Sequence, residues 1–432
     1  MYFSTEVERP GRQAAHAARS ADASLLAELL VDSRAHTLAL VDAYAAALGE
    51  ALAVAYSPQL NPPLWELGHI GWFQEYWITR NPQRALGISA DPMCPRSAAL
   101  LEQADSLYNS SLVEHRSRWH LDLPDLGATR RYLANGLDAT LNHLAHVGSD
   151  DNALYFYRLA LFHEDMHGEA AVYMAQALGL ALPTPLACRL PRRPQAAAQP
   201  LVLAAGDWLL GYAHDPSNAQ DVGPAAGFAF DNELGVNRVE VGSCEIDDRP
   251  VSWRRYLAFV QAGGYADARW WSDDGWQWLQ MKGANPCVPR YVRQRSGSHA
   301  EAVWEQCCFG AWQTLELDAP ACHLSYFEAQ AWCRWAGRGL PTEAQWEKAA
   351  VTLPGFDWGE VWEWTSSTFN PYPGFVAHPY RDYSAPWFGN RPVLRGASVA
   401  THSRMAHPRY RNYFTPERND IMAGFRTCSL AG

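Results

Sequence analysis

Phe162-His163-Glu164-Asp165-Met166-His167-Gly168-Glu169 lies inside an apolar run with helical spacing, bounded by Asp150-Asp151 ahead and Gly179 behind. An acidic residue before such a run and a glycine after it are cap signals, so a helix is expected from about residue 151 to Leu178. At about 3.6 residues per turn, His163 and His167 share one face. Two neutral imidazoles side by side are a ready pair of metal ligands. Working outward, Leu25, Leu26, Leu29, Leu30, Leu38, Val41 and Tyr44 follow the same period. Pro62-Pro63 opens a second helix, proline being tolerated in the first turn, and that helix carries His69 within Trp65-Glu66-Leu67-Gly68-His69-Ile70-Gly71-Trp72-Phe73. Thr129 to Val147 reads as a third. Four such helices make a bundle, and bundles build metal sites from side chains on facing helices.

Beyond Ala181 the composition changes. Pro183, Pro185 and Pro191-Arg192-Arg193-Pro194 lead into an Ala-rich stretch that ends at Pro200. Residues 1–182 are therefore expected to form the helical domain, 183–200 a linker, and 201–432 a domain of short strands and turns. Strands are expected at Leu201–Leu203, Arg238–Val241 and Val393–Arg395, with helices at Ser325–Ala336 and Glu343–Ala350. The fold class is α+β.

With 432 residues the chain exceeds one ordinary core, and 48% hydrophobic with 19% charged residues is a globular composition. A net charge of -11 argues against a general nucleic-acid binder. No run is long and apolar enough for a membrane span, and Met1 to Arg19 holds no apolar signal core. Nine cysteines with no C-x-x-C pair argue against a disulfide framework, so the expected compartment is the reducing cytoplasm.

The pair His163/His167 also fits the zincin spacing H-E-x-x-H, with Glu164 as base. That reading needs a third ligand downstream, where no histidine occurs before His214. His69, upstream on another helix, suits a bundle site better. Imidazole serves iron, zinc and copper alike, so ligand type alone does not choose the metal.

Four further segments occur in order: Gly339-Leu340-Pro341-Thr342-Glu343-Ala344-Gln345-Trp346-Glu347, Val361-Trp362-Glu363-Trp364-Thr365-Ser366-Ser367, Leu394-Arg395-Gly396-Ala397-Ser398 and Ala423-Gly424-Phe425-Arg426. Together they resemble the formylglycine-generating-enzyme type of domain, a variant of the C-type lectin fold. The N-terminal half resembles a DinB-like four-helix bundle. The two in this order resemble the ergothioneine-type sulfoxide synthases over nearly the whole chain, with further matching segments at Ala229-Phe230-Asp231-Asn232-Glu233, Ser272-Asp273-Asp274-Gly275-Trp276 and Tyr410-Arg411-Asn412. Formylglycine generation itself is disfavoured, because Ala400 to His407 holds no cysteine.

The resemblance implies a non-haem iron(II), O2-dependent enzyme that joins a chalcogen to imidazole C2 of hercynine (trimethylhistidine), with His69, His163 and His167 as the metal ligands. It implies an active-site tyrosine in the loop after Trp364-Thr365-Ser366-Ser367. Tyr380 and Tyr383 are the candidates, with Tyr372 behind them and Phe375 as an alternative alignment. Asn412 and Tyr413 would lie at the hercynine end. Arg116, Arg118 and Arg418 would lie where the family clamps its sulfur donor.

Two departures bear on the donor. Met166 stands where the gamma-glutamylcysteine-using enzymes have glutamine, and Phe414 where they have an aspartate that contacts the donor's amino-acid end. Phenylalanine can neither accept a hydrogen bond nor pair an ammonium, and an unpaired buried charge is costly. The chain thus looks like the selenoneine synthase branch, which uses a selenosugar; Tyr413, Phe414 and Trp387 suit stacking on a sugar ring. Hercynine sulfoxide synthesis from gamma-glutamylcysteine or cysteine is the first alternative. A zinc hydrolase or DinB-like thiol transferase is another, and a carbohydrate-binding module the non-enzyme one.

Overall fold

The computed structural model describes residues 10–186, 199–212, 227–235, 237–283, 288–295 and 303–430. The N-terminal part is helical: α1 (Pro10–Arg19), α2 (Ala23–Leu48), α3 (Pro63–Gln74), the short α4 (Ala104–Tyr108), α5 (Leu126–Leu144) and α6 (Asp151–Leu178). Asp150 caps α6 by accepting from Ala153 N, and Gly179 closes it in the left-handed region at φ 67°. The third predicted helix starts three residues earlier than its periodicity indicated, because Asp125 caps it at Ala128 N. A π-helical turn, Glu75–Thr79, continues α3. α6 packs against α2, and α3 against both α5 and α6. This places His69 opposite His163 and His167.

From Pro200 onward short elements dominate. β1 (Pro200–Leu203) pairs with β4 (Cys244–Asp247), and β2 (Gly206–Leu210) with β3 (Asn237–Val241), both antiparallel. Helices α7 (Trp253–Gln261) and α8 (Asp273–Met281) follow. β5 (Val292–Arg295), β6 (Val303–Cys308) and β7 (Ala311–Thr314) form a three-stranded sheet. After α9 (Tyr326–Ala336) and α10 (Glu343–Thr352) comes the central sheet of β8 (Trp362–Thr368), β9 (Pro392–Gly396), β10 (Asn412–Tyr413) and β11 (Ala423–Gly424). Its order is β10-β9-β8-β11, with β11 parallel to β8. The chain is α+β.

The sequence segments that mark this half are joined by buried ion pairs. Glu363 takes Arg426 through both carboxylate oxygens, at 2.5 and 2.7 Å. Glu343 takes Arg411 at 2.9 and 3.0 Å, and Glu347 takes Arg395. Separate motifs thus meet as charge-paired scaffold. Gly396, at φ 94°, lets β9 approach the Trp346 ring, which a Cβ would meet at 3.1 Å.

One apolar cluster runs through both halves, from Leu26 and Phe156 to Trp364 and Phe425. Most of the expected linker, 187–198, lies outside the described residues. The seven cysteines among the described residues are free thiols. No helix among them is long and apolar enough to cross a membrane.

Candidate active site

His69, His163 and His167 come together with their ligating atoms all within 4.8 Å of one another. The Nε2 atoms of His163 and His167 face each other at 3.2 Å. His69 Nδ1 lies 2.8 Å from the Tyr108 carbonyl oxygen, which fixes the proton there and leaves Nε2 as the free lone pair. His167 Nδ1 lies against the Glu66 carboxylate, so its Nε2 is likewise presented inward. Glu66 sits three residues before His69, on the same face of α3, and also accepts from Asn61 Nδ2. Gly68 makes the Tyr108 contact possible, since a Cβ there would fall 2.2 Å from the Tyr108 ring.

Burial lowers His69 to about 3 and His163 well below its ordinary value, with His167 adding to both shifts. Both are therefore neutral at pH 7, the form that binds a metal. Burial alone would raise the Glu66 carboxyl, but His167 beside it and the hydrogen bonds take it down to about 2.

Glu164 and Asp165 face the other way. Glu164 is tied to Arg34 of α2 at 2.8 and 3.1 Å, and Asp165 to Arg404 at 2.6 and 2.8 Å and to Ser33 at 2.8 Å. A zincin base must reach a metal-bound water. Both Glu164 oxygens are instead taken by the Arg34 guanidinium in a buried ion pair, which counts against the zinc-hydrolase reading.

Beside the histidines opens a cavity of about 700 Å³. The helical half contributes His163, Met166, His167, Glu169 and Tyr173 of α6, together with Asn61, Ser110, Ser111 and Arg118. The C-terminal half contributes Trp362, Tyr380, Asp382, Tyr383, Trp387, Tyr410, Asn412, Tyr413 and Phe414. Tyr380 reaches furthest toward the imidazoles, with its ring 6.2 Å from His163 and 4.9 Å from Phe73. Burial and the nearby Asp382 raise the Tyr380 phenol above its ordinary value. Tyr383 donates to Tyr410 at 3.0 Å, and Tyr410 donates to Met166 Sδ at 3.4 Å. Tyr413 stacks on Phe369 at 3.9 Å and donates to the Tyr383 carbonyl.

Of the predicted residues, Met166, Arg118, Tyr380, Tyr383, Asn412, Tyr413 and Phe414 meet at this cavity. Arg116 and Arg418 do not line it. Arg116 is exposed and lies over the Tyr56 ring, while Arg118, two residues on in the same 3-10 turn, turns inward to Asn61 and the Trp65 ring. Arg418 spends both arms on Asp420 and covers the Phe414 ring at 4.9 Å. Tyr372 donates to Glu343 under Arg411, and Phe375 packs against Phe388, so both belong to the scaffold. Sequence reasoning missed Glu66, although its spacing from His69 carried the signal. It also passed over Glu169, whose carboxylate accepts from Trp362 Nε1 at 2.6 Å and Ser398 Oγ at 2.9 Å inside the cavity wall.

A family model for the sulfatase-modifying factor enzyme 1-like domain matches residues 188–358 and 357–430. The hercynine oxygenase of Mycolicibacterium thermoresistibile is 32% identical over 93% of this chain and 94% of its own length. The chain belongs to the hercynine oxygenase family. The Mycobacterium tuberculosis member is also 32% identical, over 92% of this chain and 96% of its own. A formylglycine-generating enzyme of Streptomyces coelicolor is 27% identical over 59% of this chain and 97% of its own.

Proposed function

We propose that the protein forms a carbon–selenium bond at imidazole C2 of hercynine, using iron(II), O2 and a selenosugar donor. The observation that carries this reading is the convergence of three imidazoles at the edge of an aromatic cavity, in a chain related over nearly its whole length to hercynine oxygenases. Three imidazoles with two tautomers fixed by Glu66 and Tyr108 are a donor set that fits iron(II) and leaves coordination positions open. When bound, iron would supply the one-electron chemistry with O2 that such a coupling requires.

The protein's own groups then have distinct tasks. The rings of Trp362, Tyr410 and Tyr413 suit a quaternary ammonium, and the Glu169 carboxylate adds opposite charge. Tyr380, raised by burial, keeps its proton at neutral pH and can deliver it toward the imidazole face. At the donor end, Met166 and Phe414 offer no partner for an amino-acid headgroup. Asn61, Ser110, Ser111 and Asp382 offer hydroxyl-binding groups, and Trp387 an open ring face at the rim.

A second reading, sulfur transfer from gamma-glutamylcysteine or cysteine, is favoured by Arg118 at the cavity, which could take a carboxylate. The two are separated by loading the protein with iron anaerobically, adding hercynine and O2, and comparing a selenosugar with each thiol by mass spectrometry. The selenium reading requires the selenosugar product to dominate. Strong preference for gamma-glutamylcysteine would overturn it.

A further inference from the structure

Asp231, only 2% exposed, begins a single helical turn, Asp231–Glu233, far in sequence from the segment that carries Tyr380 and Tyr383. Its two carboxylate oxygens are used on the two ends of that segment. Oδ1 accepts the Ser384 hydroxyl at 2.5 Å, and Oδ2 accepts the His378 backbone N–H at 3.3 Å. Asn232 Nδ2 donates to the same Ser384 hydroxyl at 3.0 Å. Tyr155 of α6 meets the His378 ring at Nδ1, 3.0 Å away. Between the pins the chain runs from Pro379 to Tyr383 with only the 3-10 turn Arg381–Tyr383 as regular structure. No sheet ladder holds the two tyrosines at their height above the imidazoles; side-chain bonds do, these pins at the two ends of the segment and, between them, Ser111 on Asp382 and Tyr413 on the Tyr383 carbonyl.

A carboxyl is an expensive group to bury. Burial raises Asp231 to about 6, even though the Ser384 and His378 hydrogen bonds act against the shift. An apolar residue would fill the place at less cost, but could not hold two donors at once.

We propose that Asp231, acting through Ser384 and the His378 backbone, is the positioning residue that places Tyr380 and Tyr383 over the histidine cluster. Its catalytic side rests on the reading of Tyr380 given above; its structural side does not.

The test uses full-length protein with Ser384→Ala, which removes one pin; Ser384→Thr, which keeps the hydroxyl; and Asp231→Asn, which sets an amide NH2 against one of the two donors. Hydrogen exchange is measured on the metal-free protein and steady-state turnover on the iron-loaded protein. Exchange should rise at least tenfold across 378–384 in Ser384→Ala and Asp231→Asn, with 160–170 of α6 unchanged. In both, kcat should fall at least tenfold while KM for hercynine stays within twofold, and Ser384→Thr should recover most of the loss. Unchanged protection of 378–384, or protection lost equally along α6, would overturn the clamp. Local loosening with kcat intact would overturn its role in turnover. Tyr380→Phe assayed in parallel tells the failures apart: full turnover there would fault the tyrosine reading, while the exchange result still judges the clamp.

Discussion

The two walls of the cavity face the same space but are held differently. The helical wall sets His69 on α3 against His163 and His167 on α6, with Glu66 of α3 orienting the His167 ring and the Tyr108 carbonyl the His69 ring. The opposite wall hangs Tyr380, Tyr383 and Trp387 on short 3-10 turns, and Asn412 and Tyr413 on a two-residue strand. Its rigidity comes from further back, through Glu343–Arg411, Glu347–Arg395 and Glu363–Arg426. The three histidines are thus held on facing helices, whereas most of the cavity side chains of the opposite wall sit on short turns. On the proposed reading the helical wall holds the metal and Met166, and the loop wall carries Tyr380 and most of the side chains that meet substrate.

The largest effect should come from breaking the helical wall. His69→Ala, His163→Ala and His167→Ala should each abolish iron binding and turnover, measured by metal content and product formation. Full activity in all three would remove the metal site from this place. The next largest effect should be on stability alone. Glu363→Ala strands Arg426, both fully buried, and should cost about 3–5 kcal/mol, read as a lowered midpoint in denaturant. If iron affinity collapses in proportion, the two walls are not independent and the comparison fails.

Two glutamates of the helical half sharpen it further. Glu66→Ala should weaken metal affinity about 10–100-fold with all three ligands in place, because the His167 ring loses its orienting carboxylate. Glu164→Gln, whose carboxylate is tied to Arg34 and touches none of the three rings, should leave metal affinity unchanged. Competitive metal titration of both variants checks this. The opposite ranking would make Glu164, and not Glu66, the carboxylate that supports the metal-binding rings.

The helical wall was largely legible in the sequence. The spacing of His163 and His167, the caps Asp150 and Gly179, and the proline start of α3 each follow from local rules, and they put the three histidines on facing helices. Glu164 could not be assigned to a face by its H-E-x-x-H spacing; that took Arg34, 130 residues away. The loop wall was legible only as motifs. Glu343, Glu347 and Glu363 each find their arginine tens of residues later, and no periodicity relates them. Arg116 and Arg118 show the same limit: only two residues apart in sequence, they diverge because a 3-10 turn sends one to solvent and one to Asn61. The anchoring of Ser384 by Asp231 crosses 153 residues and has no local signal at all.

The smallest predicted effect tests the loop wall. Phe414 lies half-buried at the cavity under the Arg418 guanidinium, which is already paired with Asp420. Phe414→Asp puts a carboxylate where a donor's ammonium group would arrive, and the neighbouring cation makes that carboxylate tolerable. The ratio of gamma-glutamylcysteine to selenosugar turnover should rise about tenfold, roughly 1.4 kcal/mol of changed discrimination. Metal affinity should not move, since Phe414 and the imidazoles belong to different walls. A shift in metal affinity without a shift in donor ratio would mean that Phe414 supports the centre rather than selecting for it. An unchanged ratio with unchanged affinity would place the donor's headgroup elsewhere, with Arg118 and Asn61 as the remaining polar end of the cavity.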